Sequence, residues 1–219
     1  MIRLVIFDLD GTLVNAYPAV SRSVNYTLRT LGFSLRTHDE IKRSVGGGDR
    51  KLMAHFIGEA QADRAIAIYR SHHTKALQAQ GGVKLLPGAL GALKFLKKCG
   101  VKLAIASNRP TKFTRIILKK LNILEFFDMV LCADRAPKPK PYPDILWAIT
   151  KRLKVKKPEA LYVGDMTIDI NCGRRAGIRV VAVNTGSSTT KELNDLKPWG
   201  FIDKMGRLKS IIIKAKELT

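Results

Sequence analysis

Five short runs rich in Val, Ile and Leu recur along this chain of 219 residues, with little alternation of apolar and polar positions: Ile2–Phe7, Val101–Ala106, Met129–Cys132, Leu161–Val163 and Arg179–Val183. A strand with one face in water alternates, so strands of this kind are expected to be covered on both faces, as in a parallel sheet. Helical spacing fills the gaps between the later runs. Leu90, Leu93, Phe95 and Leu96 make one apolar face, and Phe113, Ile116, Ile117 and Leu121 make another. Ile145, Leu146, Ile149 and Leu153 make a third after Pro143, a residue suited to a first helical turn. The alternation predicts an α/β fold, a doubly wound, Rossmann-like parallel sheet of five strands.

One region breaks the pattern. Between Asn15 and Gly81 no strand is evident, while Val20, Val24, Leu28 and Leu31, and then Ile66, Ile68 and Tyr69, have helical spacing. Gly81-Gly82 and Leu85-Leu86-Pro87-Gly88 turn the chain back toward the sheet. The expected organisation is therefore a core of residues 1–14 and 82–219, with a small helical cap domain of residues 15–81 inserted. The plainer alternative is one long crossover packed flat on the sheet.

Apolar residues at 46% and charged residues at 26% exclude wholesale disorder. No stretch approaches the roughly 20 apolar residues of a spanning helix, and Asp8 cuts the first run short with no cleavage site after it. A cytoplasmic location with no membrane partner is expected. Cys99, Cys132 and Cys172 lack CxxC spacing and suit a reducing compartment. Adjacent His72 and His73 cannot share a helix face, so a zinc site is not expected. The formal charge of +21 reads first as a solvated basic surface and second as attraction to anions in general. With aromatics at only 7% and no RNA-binding motif, it supports no more than non-specific electrostatic contact with nucleic acid.

Chemistry-bearing residues follow the strands. Asp8 and Asp10, in Phe7-Asp8-Leu9-Asp10-Gly11-Thr12-Leu13, sit two apart where the first run ends. In extended geometry they point the same way, and their repulsion needs a cation or a shared proton. Gly11 permits close approach of backbone to a ligand. Asp165 ends the fourth run, with Asp169 four residues on along a starting helix. Acids from two strand ends make a hard-oxygen pocket suited to Mg²⁺. Ser107 and Asn108 follow the second run, where a hydroxyl, an amide and helix N–H groups can cradle phosphate. Lys138-Pro139-Lys140-Pro141-Tyr142-Pro143 is a stiff loop whose lysines can offset clustered acids.

In order and spacing this set resembles the haloacid dehalogenase superfamily, over nearly the whole chain. Asp8 to Thr12 match its DxDGT motif, Ser107 its second-strand Ser or Thr, and Gly164, Asp165 and Asp169 its GDxxxD. Its KPxP lysine has two candidates. Lys140 lies about 25 residues before Asp165, as the family has it; Lys138 is the second choice. The resemblance implies a phosphatase that forms an aspartyl-phosphate on Asp8, with Asp10 as acid and base. It places Mg²⁺ on Asp8, the Asp10 carbonyl and Asp165. Ser107, Asn108, Lys140, Gly11 and Thr12 would surround the phosphoryl group, and Asp169 would orient the metal's waters or Lys140.

The cap position resembles that of phosphoglycolate phosphatase-like members, and Val45-Gly46-Gly47-Gly48-Asp49-Arg50 resembles their cap loop. Gly47, Gly48 and Arg50, or Lys51 beside it, are the candidates for substrate choice. Asn15-Ala16 departs from the Asp-Ser that relatives often carry. The implied partner is a small phosphorylated metabolite, and the chain a monomer or homodimer. A phosphosugar mutase of the same superfamily remains an alternative, as does a basic nucleic-acid-binding protein on a phosphatase scaffold.

Overall fold

The computed structural model describes residues 1–217. In chain order the elements are β1 (Leu4–Phe7), β2 (Val14–Asn15), α1 (Tyr17–Thr30), α2 (His38–Ser44), α3 (Asp49–Ile57), α4 (Ala62–Gln78) and β3 (Lys84–Leu85). They continue as α5 (Ala89–Lys98), β4 (Lys102–Ser107), α6 (Thr111–Lys120), β5 (Met129–Cys132), α7 (Asp144–Leu153) and β6 (Ala160–Gly164). Last come α8 (Thr167–Ala176), β7 (Arg179–Val183), α9 (Thr190–Asp195), β8 (Gly200–Ile202) and α10 (Leu208–Glu217). No helix among the described residues is long and apolar enough to cross a membrane.

The sheet runs β5-β4-β1-β6-β7-β8, all parallel. Its strands lack polar alternation because both faces are covered. Val5 and Phe7 point into one core, with Leu103, Ile105, Leu161 and Val163, against α5, α6 and α10. Leu4 and Ile6 point into the other, with Ala104, Ala106 and Tyr162, against α7 and α8. Successive side chains thus serve opposite layers. The five expected strands are present, but the sheet has six. The extra strand, Gly200–Ile202, carries little signal in the sequence because only Ile202 of its three residues is buried. Phe201 faces outward at the sheet edge, so no apolar run marks it.

Between β2 and β3 every regular element is a helix. These helices share their own core, in which Val20, Val24 and Leu28 of α1 meet Leu52 and Met53 of α3 and Ile66 and Tyr69 of α4. The capping box of Thr37 and Glu40 starts α2. Where the chain leaves and rejoins the sheet layer, Val14 and Asn15 pair antiparallel with Leu85 and Lys84. The two crossings are thereby held side by side.

Candidate active site

Sheet order decides where the chemistry gathers. β1 lies between β4 and β6, which follow it on opposite sides, and ligands in open α/β sheets bind at such switch points. The ladder runs one residue past β1, since Asp8 N donates to Val163 O at 2.8 Å. Asp8 is thus held at the strand end between Ser107, the last residue of β4, and Asp165, the first after β6.

Lys140 reaches this point from its loop and is only 4% exposed. Its Nζ lies 2.8 Å from Asp8 Oδ1 and 2.7 Å from Asp169 Oδ1, and donates to Tyr162 OH at 3.0 Å. Tyr162 in turn donates to Asp169 Oδ1 at 2.7 Å, and Asp169 Oδ2 accepts from Met166 N at 3.0 Å. Lys138 instead sits over the Tyr142 ring, 5.0 Å from its centroid. Of the two lysines, Lys140 is the one at the carboxylates.

Two residues expected around phosphate are engaged otherwise. Thr12 donates its hydroxyl to Asp165 Oδ1 at 2.9 Å. Asn108 accepts from Lys140 N at 2.8 Å, and its amide nitrogen donates to Lys140 O at 3.0 Å and Gly46 O at 2.9 Å. Both ends of that amide therefore fasten the lysine loop and the helical segment, not an incoming ligand. Ser107 Oγ accepts from Arg109 N at 3.2 Å, which leaves its own proton to donate. Gly11 takes φ of 79°, the left-handed region, and a Cβ there would fall 2.5 Å from Tyr17 OH and run into Asp165.

Burial raises the Asp8 carboxyl to about 7; the charges of Asp169 and Asp10 add to the rise and Lys140 opposes it. Burial also holds Asp165 well above the usual carboxylate range, with Asp8 and Asp169 adding to it. Burial works against the Lys140 charge, but Asp169 and Asp8 more than offset it and leave the ammonium firmly protonated. Four carboxylates, of Asp8, Asp10, Asp165 and Asp169, thus face the cations of Lys140 and Arg109. Oxygens of Asp8, Asp165 and Asp169 lie within 4.8 Å of one another, a set able to hold a divalent metal. Asp169 accepts three hydrogen bonds, from Lys140, Tyr162 and Met166, against two at Asp165, from Thr12 and Ser187 N, so Asp8 and Asp165 keep more of their lone pairs for a cation. Asp165 stands between Gly11 and Gly186, and a Cβ on either would collide with it. Small all-oxygen space of this kind fits a hard cation.

The cavity beside these groups is walled by Val20, Val45, Gly48, Leu52 and Tyr69 from the helical segment and by Asn108, Phe113 and Met166 from the sheet layer. Gly46 lines it too, while Gly47 and Arg50 do not. Arg50 turns outward to Glu59 at 2.5 Å and Asp63 at 3.4 Å, because acids on its own side satisfy it. Arg109, Tyr162 and Gly186 were not singled out by sequence. Arg109 directly follows Ser107-Asn108, and Thr185-Gly186-Ser187 follows the fifth apolar run, so strand-end position would have marked both. Tyr162 had no such signal, because inside a strand it reads as core.

A family model described as haloacid dehalogenase-like hydrolase matches residues 5–183. Phosphoglycolate phosphatase 1 of Pseudomonas aeruginosa is 28% identical, over 99% of this chain and 82% of that protein. Phosphoglycolate phosphatase of Psychrobacter arcticus is 30% identical, over 97% and 96%. The crystal structure of a predicted phosphoglycolate phosphatase from Haemophilus somnus superposes with a TM-score of 0.88 at 24% identity, over 96% of this chain and 98% of that one. The chain belongs to the haloacid dehalogenase-like hydrolases. Within them it is a phosphatase, a hydrolase of phosphoric monoesters.

Proposed function

We propose that this phosphatase is Mg²⁺-dependent and hydrolyses a small phosphate monoester, 2-phosphoglycolate or a metabolite of similar size, through an aspartyl-phosphate on Asp8. The observation that carries this reading is the meeting of Asp8, Asp165 and Lys140 at adjoining strand ends beside a cavity. In the first step an Asp8 oxygen bonds to phosphorus as the bond to the leaving oxygen breaks, and Asp10 gives that oxygen its proton. In the second, Asp10 takes a proton from water as the water oxygen attacks phosphorus, which frees phosphate and restores Asp8. Lys140 and Ser107 hold phosphoryl oxygens, and Asp169 and Asn108 hold Lys140. The side chains of Asp8 and Asp165 and the Asp10 carbonyl would hold Mg²⁺. When bound, it supplies the positive charge that lets an anionic nucleophile approach an anionic ester. At ~4 Å that repulsion is about 4 kcal/mol at an effective dielectric near 20.

Residues 15–81 act as a cap over the site. Its apolar wall, Val20, Val45, Leu52 and Tyr69, excludes bulk water from the phosphoryl group. The relatives' names favour 2-phosphoglycolate as the substrate to try first.

The test is phosphate release from 2-phosphoglycolate, sugar phosphates, glycerol phosphate and nucleoside monophosphates, with Mg²⁺ and with chelator. Turnover of at least one alkyl phosphate, lost with chelator and restored by Mg²⁺, is the expected result. Undiminished turnover in chelator overturns the metal assignment. Gly186 supplies a second check. A Gly186→Ala side chain would displace the Asp165 carboxylate. The Mg²⁺ concentration for half-maximal rate should rise about 10- to 100-fold, the usual cost of disturbing a ligand's supports. An unchanged Mg²⁺ titration would remove Asp165 from the site.

A further inference from the structure

We propose that Arg109 is a positioning residue that holds Asp10 for proton transfer and is itself set by His73 of the helical segment, so that the acid is aligned only while that segment is seated. The inference rests on the acid/base reading of Asp10 given above.

Arg109 Nε donates to Asp10 Oδ2 at 2.7 Å, with the two side chains only 10% and 19% exposed. Asp10 Oδ1 is buried and has no hydrogen-bond partner among the described residues. A guanidinium on one oxygen stops the carboxylate from rotating and makes that oxygen the poorer proton carrier. The proton is thereby directed to Oδ1, on a residue that lines the cavity.

Arg109 does not stand alone. Its guanidinium donates to His73 Nε2 at 2.7 Å. A guanidinium has only donors, so Nε2 must accept and the His73 proton is on Nδ1. Nδ1 then donates to Ser23 Oγ at 3.0 Å, and Ser23 donates to Ala19 O at 2.9 Å. The Arg109–His73 and His73–Ser23 bonds each have one possible direction, and His72 Nδ1, 3.2 Å from Ser23 Oγ, is a further neighbour of that hydroxyl. His73 is fully buried, stacked on Tyr69 at 4.8 Å and edge-on to Phe113 at 4.9 Å. Burial and the Arg109 charge push its imidazole down to about 2, so it stays the neutral acceptor that the chain requires. Ser23 and His73 belong to α1 and α4 of the helical segment, whereas Arg109 and Asp10 belong to the sheet layer. Withdrawal of the helices removes the only acceptor the structure gives the Arg109 terminal nitrogens among the described residues, and the fork is free to turn from Asp10.

The readout is the leaving group. An alkyl oxygen needs a proton to depart and a 4-nitrophenolate does not, so loss of an aligned acid slows one and spares the other. We would measure kcat/KM for 4-nitrophenyl phosphate and for the alkyl phosphate hydrolysed fastest in the panel above. Arg109→Gln is expected to lower the alkyl value about 100-fold and the aryl value less than about 3-fold. Arg109→Lys should show the same split, because one ammonium cannot bridge Asp10 and His73. His73→Phe should lower the alkyl value about 10-fold, and His73→Gln, whose amide oxygen can accept from Arg109, should recover most of it. The His73 pair keeps the test decisive if Arg109 variants fail to fold. Equal losses on both esters, or an alkyl rate untouched by His73→Phe, would overturn the proposal. An Asp10→Asn enzyme without the split would overturn the acid assignment beneath it.

Discussion

Asp8→Asn should lose turnover by on the order of 10⁴-fold or more, with no phosphorylated protein trapped by acid quench of labelled substrate. The amide keeps the side-chain shape but is a poor nucleophile. Turnover within tenfold of the parent would mean that phosphorus is attacked by something else. The same variant carries a second, opposite signature. Asp8 stands at about 7 in the folded protein against 3.8 ordinarily, so between those values the folded chain holds a proton that the unfolded chain has released. Its contribution to stability therefore falls as pH rises through that window, and Asn has no such dependence. Without metal, Asp8→Asn should gain on the parent as pH rises from about 4 to 7, and Asp165, which the Asp8 charge also holds up, adds to the gain in the same direction once that charge is gone. Neutral His73 acts the other way, since the unfolded chain takes up a proton below about 6.5 that the buried ring refuses. That term is common to both proteins and cancels in the difference. Urea titrations at several pH values would check it; a difference independent of pH would show that Asp8 is not held up by burial.

Lys140→Met should be nearly as damaging to activity and far worse for stability. It leaves Asp8 and Asp169 facing each other with their shared cation gone. Breaking a buried ion pair from one side costs about 3–5 kcal/mol, because a charge remains without a partner. The rate should fall by about 10³-fold, the scale of losing one preorganised charge at a phosphoryl group. Lys140→Arg should not rescue it, since the planar fork is wider than an ammonium already enclosed by Asp8, Tyr162 and Asp169. Denaturant midpoints and kcat/KM together check the prediction. A variant as stable as its parent would show that the lysine is not what neutralises these acids.

Both residues carry a signal in the sequence, Asp8 from the end of the first apolar run and Lys140 from its proline-stiffened loop and its spacing to Asp165. Asp8, Ser107 and Asp165 were legible because an apolar run that stops on a polar residue announces the rim of a buried sheet. The sixth strand was not legible, since Gly200-Phe201-Ile202 buries a single side chain and leaves no pattern. Arg50 is a candidate substrate contact only through the resemblance of its loop to the cap loop of relatives, and in the structure Glu59 and Asp63 on neighbouring elements claim it.

Local chemistry in the chain determined which residue types stand at the ends of β1, β4 and β6 and on the proline-stiffened loop after β5, and hence that oxygen ligands, a hydroxyl and a lysine were candidates to meet. Which atom meets which was decided only by packing across distant segments. Lys140 rather than Lys138 reaches Asp8, Thr12 turns to Asp165, Asn108 ties down the lysine loop, and Arg109 joins Asp10 to His73. The reason is physical: strand direction fixes where a side chain starts, but a buried polar group ends on whichever partner the neighbouring elements bring within hydrogen-bond reach. Those partners lie 36 residues away for Arg109 and His73, and 153 for Thr12 and Asp165, beyond anything that spacing along the chain encodes.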